Sequence, residues 1–466
     1  METLGVTQSV CPVCRNLVPA RIITDGRDVY FRKFCPAHGE SACFVRSDVD
    51  DWLSSQRFVK PAWVPKSFSG KSDVPCPQGC GVCQRHEQHL CMPIVEITTR
   101  CDLACPICIA DAGAAWDMTP AEFKRLLDLL IQAEQQIDII NISGGEPLVH
   151  PKLLQLVGEA VSRPEIVRVS ISTNGLQLLR RPDLLKRLHD MGVCISLQFD
   201  GFSDRAYEML RGRPLLEEKL ALLEMLRKEG ISTSLTMTAA RGVNEGEFRP
   251  MLDYLFANEH AVSMMIQPIA FAGRAERADR EWRLTIPDVV RALGEAGHPS
   301  VSASDFAPLP CSHAHCFSLA FYLVLKGGGA VSINRIVPAN DILDAVANHV
   351  FYGLSVEEHL RLKEMVYELW SGPSASAPDS EAVLRTVQEL LRRVSCCYFD
   401  PKKVFSIAER QMKSIFIHAF QDADTFDLAR ARRCCNAYPQ ADGRFMPACT
   451  FNVIHRRRPS GLAGSG

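Results

Sequence analysis

The sequence predicts an α/β fold: a partial barrel of six strand–helix units, with a small Cys-rich module in front and a less regular, Cys-bearing region behind. Three observations carry this expectation. Residues 92 to about 270 alternate short apolar strands with helical stretches, the pattern of a parallel sheet covered by helices. Residues 1–90 are rich in Cys, Gly and Pro, which suits a unit stapled by metal better than one held by a packed core. The chain has 466 residues, more than one ordinary domain of roughly 100–200 residues. The expected boundaries are 1–60 for the Cys-rich module, 61–92 for a second Cys segment, 93–270 for the barrel, 271–458 for the C-terminal region and 459–466 for a disordered tail.

Within the barrel the first strand is expected at Pro93–Thr98, followed by a helix from Thr119 to Gln135 that Thr119 caps. A strand at Asp138–Ser143 and a helix near Lys152–Val161 come next. Further strands are expected at Val167–Ser172, Val193–Phe199, Ile231–Thr238 and Val262–Pro268. Such a barrel works at the C-terminal ends of its strands. Beyond it, Ser371–Pro378 reads as a flexible linker. Residues 402–420 read as one helix, with Val404, Phe405, Ala408, Met412, Ile415, Phe416, Ala419 and Phe420 at helical spacing.

Composition excludes some functions. Lys plus Arg is 52 and Asp plus Glu is 54, a formal charge of −2, so nothing suggests the basic stripe of a nucleic-acid binder. No apolar run of about 18 residues suggests a membrane span. Met1–Val6 lacks the basic and apolar regions of a signal peptide, and the expected location is cytoplasmic. The 19 cysteines are the outlier. Cytosolic thiols stay reduced, so clustered Cys points to metal.

The chemistry centres on Cys101-x3-Cys105-x2-Cys108, just after the first barrel strand. Three thiolates hold three irons of a 4Fe–4S cluster and leave the fourth open to a small chelating ligand. Ser143-Gly144-Gly145-Glu146-Pro147 ends the next strand. Gly144 and Gly145 allow close approach of backbone to a ligand, and Glu146 or nearby carbonyls can accept from an ammonium group. Cys76-x3-Cys80-x2-Cys83-x7-Cys91 supplies four thiolates, enough to close an auxiliary cluster, with zinc as the other reading. His86 and His89 inside that segment read as hydrogen-bonding or packing residues. Cys11-x2-Cys14-x20-Cys35-x2-His38 has knuckle spacing for one zinc or iron, with Cys43 competing as fourth ligand. Cys311 and Cys316, with Cys434, Cys435 and Cys449, form a candidate third cluster, in which one of two adjacent cysteines is a spectator. Cys194, Cys396 and Cys397 read as buried apolar residues.

At Cys101, Cys105 and Cys108 and at Gly144-Gly145-Glu146-Pro147 the sequence resembles the radical S-adenosylmethionine (SAM) superfamily. The resemblance implies a partial (β/α)6 barrel, a catalytic cluster on those three cysteines and a SAM cradle on those four residues. Ser172, Asn174 and Asp200 are further candidates for the ribose and carboxylate of SAM. One departure is Ile107, where most members carry an aromatic residue. The order of the other Cys groups, with Cys80-Gly81-x-Cys83-x2-His86-x-Gln88-His89-x-Cys91 and Asp442-Gly443-Arg444, resembles the subfamily of archaeal tetraether-lipid synthase and dihydropterin C-methylase-like proteins. Phe445-Met446-Pro447-Ala448-Cys449 departs from its usual ending, and no cobalamin-binding domain is evident. The resemblance implies one catalytic and one or two auxiliary 4Fe–4S clusters, one mononuclear iron or zinc, and a reduced ferredoxin- or flavodoxin-type electron donor. It implies reductive cleavage of SAM to a 5′-deoxyadenosyl radical that takes hydrogen from an unactivated carbon. The leading substrate expectation is a lipid alkyl chain, drawn from the membrane surface and joined by a C–C bond. C-methylation of a pterin-like small molecule and radical modification of a peptide are the alternatives. An iron–sulfur electron carrier is the non-enzymatic one.

Overall fold

A computed structural model describes residues 1–70, 74–110, 115–326, 328–336, 343, 344, 346, 348–350, 380–394 and 401–456. The expected linker at Ser371–Pro378, the tail from Pro459, and Cys396 and Cys397 lie outside the described residues.

The chain opens with an antiparallel four-stranded meander, β1 (Glu2–Val10), β2 (Leu17–Thr24), β3 (Val29–Cys35) and β4 (Gly39–Arg46), in sequential order. Next come the barrel strands β5 (Ile94–Thr98), β6 (Ile137–Gly144), β7 (Ile166–Thr173), β8 (Cys194–Gln198), β9 (Thr233–Ala239) and β10 (Ala261–Pro268). All six are parallel neighbours in sequence order, as strand–helix alternation dictates. Helices fill the crossovers. Pro120–Glu134 starts at a capping box made by Thr119 and Glu122, with Pro120 in the first turn. It buries Phe123, Leu126, Leu127, Leu130 and Ala133, a stripe at helical spacing that packs on the sheet. The sheet is open: β5 is one edge, and β11 (Ala307–Pro308) and β12 (Phe317–Val324) form the other.

A seventh parallel strand corrects the sequence expectation at 402–420. The helix is Pro401–Ala408, and Met412–His418 is β14, wedged between β10 on its parallel side and β12 on its antiparallel side. Six of the seven β14 residues are buried. Its apolar stretch Ile415–Ile417 is short, and periodicity alone cannot separate so short a buried run from a helix segment. Ile415 and Ile417 are β-branched and Phe416 aromatic, the residue types a pleated surface favours. Short strands β13 (Ala330–Ser332), β15 (Ala437–Pro439) and β16 (Phe445–Pro447) complete the sheets.

The barrel strands alternate. Ile142, Ile171, Ile195, Leu235 and Ile266 are fully buried in the main apolar core. The residues between them are Asn141, Ser172, Ser196, Thr236 and Gln267, which turn to the interior. The period of two therefore builds an apolar outer layer and a polar inner one.

Three buried lysines act as tripods. Lys413 Nζ donates to the carbonyls of Leu255, Asn258 and Ala261 at 2.6–2.7 Å, tying β14 to the turn before β10. Lys33 ties β3 to the carbonyls of Val10, Ala423 and Asp424. Lys219 ties the ends of β7 and β8 through Asn174 O, Gln198 O and Gln198 Oε1. Lys413→Met would leave three buried carbonyls without a donor. At about 1–3 kcal/mol for each, the expected loss is at least about 3 kcal/mol, read as a lowered midpoint in thermal unfolding. An unchanged midpoint would remove the tripod from the stabilising contacts.

Candidate active site and metal centres

Residues 99–110 leave β5 as the loop that carries Cys101, Cys105 and Cys108. Asp102 anchors it, accepting from Asn174 Nδ2 and Gln177 Nε2 at 2.7 Å each. From the far side, Arg274 N donates to Cys108 O at 2.9 Å and its guanidinium to Cys105 O at 3.3 Å. The three half-buried thiols open onto a cavity of about 290 Å3, lined also by Gly144, Gly145, Glu146, Ser172, Asn174 and Arg211. Pro147 begins the short turn Pro147–Val149 behind this wall.

The two glycines make a close approach, to backbone of the same chain. A Cβ on Gly144 would stand 2.3 Å from Thr98 O, and one on Gly145 2.3 Å from Arg100 O. Gly145 N and Glu146 N donate to those same carbonyls at 2.8 and 2.7 Å. The end of β6 is thus stitched to the segment that enters the Cys loop. Glu146 holds the next strand: Oε1 accepts from Thr173 Oγ1 at 2.6 Å and Leu148 N at 3.0 Å, and Oε2 from Asn174 N at 2.8 Å. Burial pushes its carboxyl up to about 7. With three of about four lone-pair sites used, one remains for an incoming ammonium.

Asp200 is placed differently from the sequence expectation. It is fully buried, off the cavity wall, and accepts from Arg211 in a fork at 2.7 and 2.8 Å and from Thr238 N at 3.0 Å. Gln198 also donates to it. Asp200 thereby aims Arg211 at the cavity, where the guanidinium meets Cys105. Ser172 and Asn174 do reach the cavity. Arg211, Thr173, Lys219 and Arg274 were not singled out from sequence, because each acts across strands with no local motif.

The mouth continues into a chamber of about 170 Å3 inside the barrel, sharing Asn141, Ser172, Ser196, Thr236, Gln267 and Phe420 with it. The wall groups partner one another: Ser172 donates to Asn141 at 2.9 Å, Ser196 and Thr236 lie 2.8 Å apart, and Ser263 donates to Ser234 at 2.7 Å. An Arg168–Glu409 pair at 2.6 Å lies at the far end. Cys194, the first residue of β8, is buried and lines this chamber.

Among the described residues, three or more ligand atoms lie within 4.8 Å of one another at two places. One is Cys11, Cys14, Cys35 and His38, on the two turns of the opening meander. A tetrahedral ion with metal–sulfur bonds near 2.3 Å and metal–nitrogen bonds near 2.05 Å separates two sulfurs by about 3.8 Å and sulfur from nitrogen by about 3.5 Å. Cys14 and Cys35 stand 3.8 Å apart, and His38 Nδ1 is 3.6 Å from Cys11 and 3.5 Å from Cys35. The donor set fits a mononuclear zinc or iron. Cys43, the competing ligand, lies instead on β4 with its thiol 4.0 Å from Asp424 Oδ1, because strand pairing with Phe31 fixes it outside the turns.

The second place, Cys91, Cys311 and Cys435, corrects the expected Cys76–Cys91 set. Cys91 is fully buried with its thiol 3.6 Å from that of Cys311, carried away from its upstream neighbours by the approach to β5. Cys76 keeps hydrogen-bonding contact with Cys80 and Cys83. Cys316 Sγ accepts from Arg430 Nε and Cys449 Sγ from Gln421 N, each at 3.3 Å. Of the adjacent pair, Cys435 joins Cys91 and Cys311, while Cys434 Sγ lies 3.0 Å from Asn436 O. His86 and His89 donate to Cys434 O and Asn348 O. No cysteine among the described residues is in a disulfide, so each group is chemically able to bind metal, and thiols on separate irons stand farther apart than thiols on one ion.

Comparison with known proteins agrees with this layout. The Radical SAM superfamily model matches residues 95–255, and that of the HMPTM N-terminal zinc ribbon domain matches residues 3–47. The 7,8-dihydro-6-hydroxymethylpterin dimethyltransferase of Methanocaldococcus jannaschii is 29% identical over 97% of this chain and 94% of its own length. The GTP 3′,8-cyclase of Chlorobaculum tepidum is 29% identical over 37% of this chain, which spans about half, 53%, of that relative. The crystal structure of Streptococcus suis SuiB bound to precursor peptide SuiA superposes with a TM-score of 0.38 at 14% identity, over 45% of this chain and 46% of that one, a likeness too loose to build on. Among the described residues no helix is long and apolar enough to cross a membrane. With its cluster loop, its glycine-stitched cradle and the family match over residues 95–255, the chain carries a radical SAM domain behind a segment that matches a zinc ribbon.

Proposed function

We propose that this enzyme C-methylates a small, flat, pterin-like heterocycle seated in the barrel chamber. The observation that carries the reading is the chamber wall. Asn141, Ser172, Ser196, Thr236, Ser263 and Gln267 present neutral donors and acceptors around a space of about 170 Å3. The ring nitrogens, amino group and carbonyl of a pterin can pair with such groups. The same wall carries Ile94, Ile139, Met265, Phe321 and Phe416, apolar surface on which the faces of a flat ring can lie. The buried Arg168–Glu409 pair at the far end also denies a long chain an exit. The methyltransferase relative supports the same substrate class, whereas lipid coupling, the leading expectation from sequence, has neither observation behind it.

Cys101, Cys105 and Cys108 would hold the catalytic cluster, and the backbone around Gly144 and Gly145 with Glu146 would receive the amino end of SAM. When bound, cluster and SAM together supply one-electron cleavage of SAM to methionine and a hydrogen-abstracting adenosyl fragment. The chain's own residues do the rest. Arg211 brings positive charge beside Cys105, and the wall hydroxyls fix which carbon of the substrate faces the mouth. Phe420 and Tyr438, on the cavity wall, shield it from water.

The test uses anaerobically reconstituted enzyme with SAM, a reductant and either a C-deuterated dihydropterin or perdeuterated phospholipid. Deuterium should enter 5′-deoxyadenosine from the pterin, and a second molecule of SAM should supply the methyl group that replaces it, with a second electron from the reductant, leaving S-adenosylhomocysteine and a methylated pterin. Label arriving from the phospholipid alone would overturn the proposal.

A further inference from the structure

Glu409 is the one carboxylate among the described residues that line the barrel chamber. It follows the helix Pro401–Ala408 and is 7% exposed. Its Oε2 accepts from Arg168 Nη2 and its Oε1 from Ser232 Oγ, each at 2.6 Å. A carboxylate has about four acceptor sites, so each oxygen keeps one unused. Asp200 is the contrast. It takes two nitrogens of the Arg211 fork, Thr238 N and the Gln198 amide, and its acceptor sites are filled. Arg168 meets Glu409 through one nitrogen only, while its Nη1 is turned to Gly192 O at 3.1 Å. The Glu409 carboxylate is thus fixed in place with half of its accepting capacity open.

Its position in the chamber gives that capacity a direction. Arg168 lies near the start of β7 and Ser172 near its end, on the same inward face, with Ser170 between them. Four residues of parallel strand span about 13 Å. Arg168 and Glu409 therefore mark the floor of the chamber, and Ser172 the mouth that it shares with the cluster loop. A buried ion pair is weak evidence for stability, and this one lines a cavity. A carboxylate with a free site on each oxygen is complementary to two neighbouring N–H groups presented in one plane, the geometry of a bidentate pair. A 2-amino-4-oxo pyrimidine ring presents such an edge, its ring N3–H beside its 2-amino group. A 2,4-dioxo ring presents N–H beside a carbonyl, and sets the carbonyl lone pairs against the carboxylate.

We propose that Glu409 is the specificity-determining residue of the chamber, accepting from the N3–H and the 2-amino group of a 2-amino-4-oxo pyrimidine ring. The inference rests on the pterin reading above and deepens it, because it assigns an orientation. With the amino edge on the floor, the second ring of the heterocycle points to the mouth, and its carbons are the ones that face the cluster loop.

The experiment uses the anaerobically reconstituted full chain with SAM, a reductant and, in parallel, a dihydropterin and the matching dihydrolumazine, in which a carbonyl replaces the 2-amino group. The readout is kcat/KM for each methylated product. The parent should favour the pterin by at least about a hundredfold, since a site built around a substrate N–H strongly rejects the analogue that lacks it. Glu409→Gln puts an amide N–H where one carboxylate oxygen stood, and an amide matches an N–H beside a carbonyl. The pterin-to-lumazine ratio should fall by at least about tenfold, with lumazine turnover rising above the parent's. A role confined to the ion pair would lower both substrates alike, and an unchanged ratio would overturn the proposal, as would equal use of the two substrates by the parent. If Glu409→Gln strands Arg168 and does not fold, Arg168→Gln combined with Glu409→Gln removes both charges and carries the test. The same fall in the ratio is expected there, and the parent's ratio overturns the proposal. Turnover of neither heterocycle by the parent overturns the pterin reading and this inference with it, whereas pterin turnover with an unchanged ratio in the variants overturns this inference alone.

Discussion

Cys105→Ala should abolish 5′-deoxyadenosine formation from SAM, by at least about a thousandfold, or about 4 kcal/mol of barrier at 1.36 kcal/mol per tenfold. Three thiolates on one short loop are the minimum that leaves a single open iron, and two cannot keep it in place. The loss should be specific. The loop is anchored by Asp102, Asn174 and Arg274 rather than by thiol packing, so the variant should keep its circular dichroism. It should also keep the metal of the ribbon, whose ligands Cys11, Cys14, Cys35 and His38 are a separate set. The readout is deoxyadenosine by liquid chromatography with dithionite as reductant. Persistent cleavage above the enzyme-free blank would sink the assignment of this loop.

Gly145→Ala should weaken SAM binding at least tenfold, about 1.4 kcal/mol, and lower the iron retained by the catalytic loop. The added methyl would meet Arg100 O at 2.3 Å, Arg100 C at 2.8 Å and Thr99 O at 3.0 Å. All three are backbone atoms, so relief requires moving the segment that leads into Cys101. Gly144→Ala should be as severe, since its φ of +141° adds strain to a 2.3 Å contact with Thr98 O. Gly246→Ala is the control: nothing lies within 4 Å of a Cβ there. Equilibrium binding of SAM to reconstituted protein, with iron counted in parallel, checks both. Parental affinity in Gly145→Ala would show that the close approach is dispensable.

These two effects also show what could be read from sequence. The cluster loop and the Gly-Gly-Glu-Pro turn are contiguous, so their chemistry is written in local spacing. The reason for the glycines is not, because Thr98 ends another strand and Arg100 follows it. The six parallel strands from Ile94 to Pro268 were legible as apolar runs between helical stretches. Met412–His418 was not, because seven residues buried on both faces satisfy helical and strand templates alike. The polar inner face was available in the alternation of Ser, Thr, Asn and Gln along β6 to β10, a signal masked by the apolar residues between them. Metal partition was the least legible. Cys91 has four-Cys spacing with Cys76, Cys80 and Cys83, yet the chain path delivers it to Cys311 and Cys435. No short-range rule pairs residues across an intervening barrel. Asp200 followed the same logic in reverse: a strand-end acid looks like a ligand until the Arg211 fork that occupies it is seen.

The grouping of Cys91 with Cys311 and Cys435 imposes an order on biosynthesis. The ribbon has all four ligands once His38 has left the ribosome, and it can take its metal on a nascent chain. The Cys91 group is complete only after Cys435, the last of its members, is made. At roughly 5–20 residues per second that gap is on the order of 20–80 s. Throughout it β10 lacks its parallel neighbour β14. The ribbon, for its part, can dock through Lys33 only when Ala423 and Asp424 arrive. The ribbon site therefore has its full donor set long before the Cys91 group does.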